Sequence, residues 1–154
     1  MKRYPYFLIA LLIVLADQVT KFLARVYIGT FDTIKVLPFL QLVSVRNEGA
    51  AFGMFSGLGN PVFIVVSLVA ITVVFFLLLT SKEDRWGLAL ILGGAAGNLI
   101  DRIVFKKVTD FIDLFAGRFH WPAFNVADSA ICIGIGLMAL ELLKGDRKKL
   151  KDSS

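Results

Sequence analysis

The residues of this chain best suited to chemistry are carboxylates standing where apolar stretches begin or end. Phe124-Asn125-Val126-Ala127-Asp128-Ser129 puts an acid at the mouth of a long apolar run, Ala130 to Leu143, interrupted only by glycines and Glu141. A carboxylate at mid-bilayer costs about 2.5–3.5 kcal/mol on insertion scales unless it is paired, hydrated or put to use. A local role is also available, with Asn125 as a helix N-cap and Asp128 closing a capping-box-like turn. Further acids stand in Gly97-Asn98-Leu99-Ile100-Asp101-Arg102 and in Val108-Thr109-Asp110-Phe111-Ile112-Asp113. Two aspartates held close together do not both ionise readily, so one keeps a proton while the other acts as a base. Such a pair can deprotonate a water for attack on an amide carbonyl while the protonated partner polarises the carbonyl oxygen. Asp128 with Asp101, Asp110 or Asp113 would supply the pair. Spacing leaves the choice open, because a loop intervenes.

Other chemistries have little material. His120 is the only histidine and Cys132 the only cysteine, so neither a zinc cluster nor a disulfide framework is available. No Gly-x-Ser-x-Gly elbow and no phosphate-binding Gly-x-x-x-x-Gly-Lys-Ser/Thr loop occurs. His120, beside Trp121, reads as an interfacial residue and Cys132 as ordinary packing. Asp17 and Lys21 are spaced i,i+4 and share a helix face, which predicts an internal ion pair that neutralises both. Gly93 and Gly97 form a small-xxx-small face for close helix approach. Gly94, Asn98 and Asp101 follow at i, i+4 and i+7 and are expected on one face.

The elements that must position these groups are membrane helices. The chain has 154 residues, the length of one domain, and 57% of them are hydrophobic. Four segments approach the roughly 20 residues needed to span a bilayer: about Tyr6 to Ala24, Pro61 to Thr80, Trp86 to Phe105 and Asn125 to Leu143. The N-terminal basic and apolar residues are followed by no small-x-small cleavage site, so the first segment reads as an uncleaved helix. The net charge of +5 gathers at helix ends, which fits membrane topology and excludes nucleic acid as a partner. Lys2, Arg3, Lys82, Arg85 and the tail from Lys144 to Lys151 fall on one side, so both termini are predicted cytoplasmic. Arg25, Lys35, Arg46, Lys106, Lys107 and Arg118 lie on the other.

Between the helices, Thr33 to Val45 favours extended structure, and Asn47 to Gly53 reads as a turn. A small extracytoplasmic β element is expected there. Phe105 to Ala123 mixes charges with aromatic residues and is predicted to be an interfacial segment. The fold class is therefore an all-α membrane protein: a four-helix bundle with a small β element, an interfacial segment and a frayed basic tail, 144–154. A transporter would use the same buried polar residues, but the chain has no inverted repeat and its acids gather at one membrane face. A metal-dependent lipid phosphotransferase would want several acids on one helix.

Five motifs taken in order resemble a known family. Asp17-x-x-x-Lys21, Asn47-x-Gly49-x-Ala51-Phe52-Gly53, Gly93-Gly94-x-x-Gly97-Asn98-x-x-Asp101-Arg102, Val108-x-Asp110-Phe111 and Phe124-Asn125-x-Ala127-Asp128-Ser129 are similar to those of the lipoprotein signal peptidases of bacteria. The resemblance implies an inner-membrane aspartic endopeptidase that cleaves prolipoproteins on the N-terminal side of a diacylglyceryl-modified cysteine. It selects Asp110 and Asp128 as the catalytic pair. It implies substrate-holding or pair-orienting roles for Asn47, Asn98, Arg102 and Asn125, and supporting roles for Asp17, Lys21 and Asp101. It further implies no metal or organic cofactor, membrane lipids as partners, and inhibition by the cyclic peptide globomycin.

Overall fold

The computed structural model describes residues 3–29, 32–48, 59–81 and 85–152. The chain runs α1 (Tyr4–Tyr27), β1 (Ile34–Leu37), β2 (Leu40–Asn47), α2 (Gly59–Thr80), α3 (Arg85–Phe105), β3 (Val108–Ala116), β4 (Phe119–His120) and α4 (Val126–Asp152). All four helices are long and apolar enough to cross a membrane. The first three helices start one or two residues before their predicted limits and α2 and α3 end at them, while α1 runs three residues further and α4 starts at Val126, just after its cap Asn125. The correction is largest for α4, which continues to Asp152 through the basic tail expected to fray. Residues 49–53 of the predicted turn, and the charged connection Lys82 to Asp84, lie outside the described residues.

Helix α3 is the axis of the bundle and packs against α1, α2 and α4. Small residues make this possible. A Cβ at Gly93 would lie 2.7 Å from the Ala10 carbonyl oxygen of α1, and one at Gly97 would lie 2.6 Å from Asp17 Oδ2. Gly94 turns instead toward Ala127 and Ile131 of α4. Tyr6, Ala10, Leu78, Leu88, Ala89 and Leu92 form an apolar cluster at the end where the chain enters α1. The opposite apolar faces, such as Val65, Val69, Val73 and Phe76 of α2, stay exposed, as surfaces solvated by lipid do.

The all-α expectation needs correction in one respect. The segment predicted to be merely interfacial, Phe105 to Ala123, is mostly β3 and β4, which complete an antiparallel sheet of order β1-β2-β3-β4. Its pattern is hard to read because both sides of β3 carry an acid and both carry large apolar residues, so no polar face marks period 2. The partner that settles it is remote: Leu40 pairs with Leu114, Val45 with Asp110 and Asn47 with Val108. A register shift between Leu42 and Val45 marks a bulge. Lys106, at φ 63°, turns the chain out of α3 into β3, and Gly117, at φ 61°, turns β3 into β4 in a conformation that favours glycine. Phe111 packs with Ala24 of α1 and with Ile28, which caps that helix. The sheet is thereby seated on one end of the bundle.

Candidate active site

Helix α4 starts with a reciprocal cap. Asp128 N–H donates to Asn125 Oδ1 at 2.9 Å, and Asn125 N–H donates to Asp128 Oδ2 at 3.3 Å. This is the capping box the sequence suggested. It leaves Asp128 Oδ1 free to accept from Asn98 Nδ2 on α3, at 2.8 Å. The cap therefore also aims the carboxylate.

Asp110 reaches the same place from β3. Its Oδ2 accepts from Asn47 Nδ2 at 2.9 Å and its Oδ1 from Asn125 Nδ2 at 2.7 Å. Asn47 sits on the neighbouring strand, two residues beyond Val45, the direct partner of Asp110, so the two side chains are diagonal neighbours on one face. Asn125 Nδ2 also lies 3.2 Å from Asn98 Oδ1. The two carboxyl groups are thus joined by a bridge of two amides, Asn98 and Asn125. Both acids line one cavity of about 630 Å³, together with Asn47, Asn98 and Arg102. Beyond Asp128 the wall continues down α4 through Ser129, Cys132 and Ile133, the last of which is 58% exposed.

A buried charged layer supports this bridge. Lys21 Nζ lies 2.8 Å from Asp17 Oδ2 and donates to Asn98 Oδ1 at 2.8 Å, which fixes the Asn98 amide with its N–H groups toward Asp128. Asp17 Oδ1 accepts the Ala127 N–H of α4 at 3.0 Å, and Gln18 donates to the Gly97 carbonyl at 3.0 Å. Asp101 faces away from the cavity, accepting from Arg25 at 3.3 Å and from the Thr109 N–H at 2.9 Å. Asp17, Lys21, Asp101 and Asn125 are all completely buried. Arg102 lines the cavity, its guanidinium 5.4 Å from the Phe63 ring centre, while its carbonyl accepts from Asn60 of α2 at 3.0 Å.

Burial pushes the Asp110 carboxyl up to about 6, and the nearby Asp128 charge adds to the rise against the opposing hydrogen bonds from Asn47 and Asn125. An unfolded aspartate titrates near 4, so the folded chain binds this proton more tightly. The group therefore favours folding in acid and loses that contribution as pH rises from about 4 to about 6. Infrared titration of the purified protein should show a carboxylic acid band that persists to about pH 6 and is lost in Asp110→Asn. In Asp128→Asn the midpoint should fall, because the repelling charge is gone. A midpoint that stays put would remove Asp128 as a cause.

The structure thus brings Asn47, Asn98, Arg102, Asp110 and Asp128 to one cavity, with Asn125, Asp17 and Lys21 behind it. Asp101 shares with Asn98 the approach of Lys21 Nζ, at 3.9 Å against 2.8 Å, but it lines no part of the cavity and engages Arg25 and the Thr109 N–H instead. Asp113, one of the open alternatives, lines no part of the cavity and instead meets Gln41 at 2.6 Å and His120 at 2.9 Å. Alternation along β3 separates it from Asp110. Thr109, Arg25 and Gln18 carry connections that sequence reasoning missed, and only the helix spacing from Lys21 to Arg25 hinted at one of them. Among the described residues no group of three or more His, Cys, Asp or Glu side chains is placed to hold a metal ion.

The model of the family described as signal peptidase (SPase) II matches residues 9–144. The lipoprotein signal peptidase of Thermodesulfovibrio yellowstonii is 45% identical over 144 residues, covering 94% of this chain and 98% of that protein. That of Halalkalibacterium halodurans is 41% identical over 153 residues, covering 97% and 98%. A solved bacterial membrane enzyme, determined by the in meso method at 2.3 Å, superimposes with a TM-score of 0.88 at 33% identity, covering 94% of this chain and 91% of its own.

Proposed function

The chain belongs to the signal peptidase II family, a family of membrane proteases, and from that premise we propose that it cleaves prolipoproteins by an aspartic mechanism at Asp110 and Asp128. The observation that carries the reading is that both carboxyl groups face one cavity and are tied together by Asn98 and Asn125. One carboxylate takes a proton from water as its oxygen attacks the scissile carbonyl carbon. The other, protonated, donates to the carbonyl oxygen as the tetrahedral intermediate forms. Return of a proton to the amide nitrogen then releases the signal peptide. Asn47, Asn98 and Arg102 line the cavity around the acids and would hold the substrate backbone. The reading calls on no metal or organic cofactor.

The substrate bond lies N-terminal to a diacylglyceryl-modified cysteine. The cavity wall running from Asp128 to the exposed Ile133 supports a sideways exit for its two acyl chains into lipid. The enzyme would lie in the bacterial inner membrane with both termini cytoplasmic, by the basic residues at that side. The sheet would then be extracytoplasmic and the acids near the outer face. Globomycin would occupy the same cavity with its hydroxyl between the two carboxyl groups.

The test compares one purified prolipoprotein with and without its diacylglyceryl group. The lipidated form should be cleaved with kcat/KM at least about 10²-fold higher, since acyl binding energy positions the scissile bond. Equal cleavage of both forms would remove the lipid from the recognition.

A further inference from the structure

Thr109, the residue before Asp110, is held at three atoms by four residues: one each from α1, β2 and α3, and the cap of α4. Its N–H donates to Asp101 Oδ2 of α3 at 2.9 Å, and its carbonyl accepts from Asn125 at 3.3 Å. Its hydroxyl oxygen accepts from Arg25 of α1 at 3.1 Å and from Arg46 of β2 at 3.3 Å. A hydroxyl oxygen has two acceptor lone pairs, and both are used. With the backbone pinned on either side of its Cα, this residue fixes where β3 enters the cavity and hence where Asp110 stands.

Arg25 is the cation that makes this grip possible. Lys21 lies 2.8 Å from Asp17 but 3.9 Å from Asp101, whereas Arg25 Nη1 lies 3.3 Å from Asp101 Oδ1. The guanidinium stacks 4.3 Å from the Phe105 ring centre, and the side chain is 12% exposed. One planar group therefore meets the last turn of α3, the buried Asp101 and the first residues of β3. A sheltered guanidinium held this way loses little further freedom in making its bonds.

We propose that Arg25 is a positioning residue for the reaction: by joining Asp101 to the Thr109 hydroxyl it holds β3, and with it Asp110, in register with Asp128. It touches neither the cavity nor the reacting atoms. The proposal rests on Asp110 being one of the two reacting carboxylates.

The experiment measures kcat and KM for cleavage of a lipidated precursor by wild type, Arg25→Met, Arg25→Lys, Thr109→Val and Asp110→Asn. Arg25→Met should lose about tenfold or more in kcat, the scale of a hydrogen bond to a charged group, with KM within about twofold. Arg25→Lys keeps the charge within reach of Asp101 and should recover most of the loss. Thr109→Val removes the acceptor but keeps the backbone bond to Asp101, and should lower kcat severalfold; it decides the matter if Arg25→Met does not fold. The proposal is overturned if kcat holds in Arg25→Met, if KM alone rises, or if Arg25→Lys is as impaired as Arg25→Met. Unchanged kcat in a folded Thr109→Val overturns it equally. Inactive Asp110→Asn alongside unaffected Arg25 variants would sink this inference alone, whereas active Asp110→Asn would sink the reading beneath it.

Discussion

Asp110→Asn and Asp128→Asn should each reduce cleavage by at least about 10³-fold while leaving a folded protein, because an amide can neither take the proton from water nor complete the shared acid–base step. The substitution preserves volume, but not the hydrogen-bond pattern. Both oxygens of Asp110 accept, one from Asn47 and one from Asn125. Whichever way an asparagine is turned, its N–H₂ group faces another donor. Asp128 presents the same problem, with Asn98 at one oxygen and the Asn125 N–H at the other. Each variant should therefore also lose about 1–3 kcal/mol of stability, visible as a lower Tm but not as loss of the helical spectrum. The double variant should be no less active than either single one, since the two carboxyls act as a unit. Either single variant, folded and monodisperse, cleaving within tenfold of wild type would remove that residue from the mechanism.

The largest effect on stability should come from Lys21→Met. The ammonium is completely buried, with Asp17 and Asn98 at 2.8 Å. Removing one partner of a buried pair costs about 3–5 kcal/mol, because the remaining charge is left without compensation. Asp17 would keep its bonds from Gln18 and the Ala127 N–H but lose its cation. Thermal unfolding in detergent should show a markedly lower Tm, and Asp17→Asn added to Lys21→Met should restore much of it. Activity should fall in both proteins, since the Asn98 amide would lose the contact that turns its N–H groups toward Asp128. Mutual neutralisation, the role expected from i,i+4 spacing, is thus only part of what the pair does. Exchanging the two residues would place an ammonium against the Ala127 N–H, so the exchanged pair should not recover activity. If Lys21→Met kept the wild-type Tm, the ammonium would not be compensating Asp17.

Much of this architecture is written locally. Four apolar runs declare the helices because no other use of that many consecutive apolar residues is compatible with water. The Gly93/Gly97 spacing announces a close approach, and the structure uses it for α1. The spacing of Asn125 and Asp128 announces a cap, and the cap is present. The sheet was only half legible. Thr33 to Val45 reads as extended because β-branched residues crowd it, whereas β3 carries acids on both faces and declares itself only when paired with β2.

The pairing of the acids belongs to a different level. Residue types and spacing determined that this chain carries several carboxylates at one end of a helical bundle and that a lone one there would need a partner. They could not choose among Asp101, Asp110 and Asp113, which lie within thirteen residues of one another. Tertiary structure sets which of them shares a cavity with Asp128, by three physical constraints. Alternation on β3 sends Asp113 to Gln41 and His120; Arg25 and the Thr109 N–H engage Asp101; the β2 partner leaves Asp110 beside Asn47 and opposite the capped mouth of α4. Each constraint involves a partner distant in the chain, Gln41, Arg25 and Asn47 in turn, and that is why only the folded protein can state it.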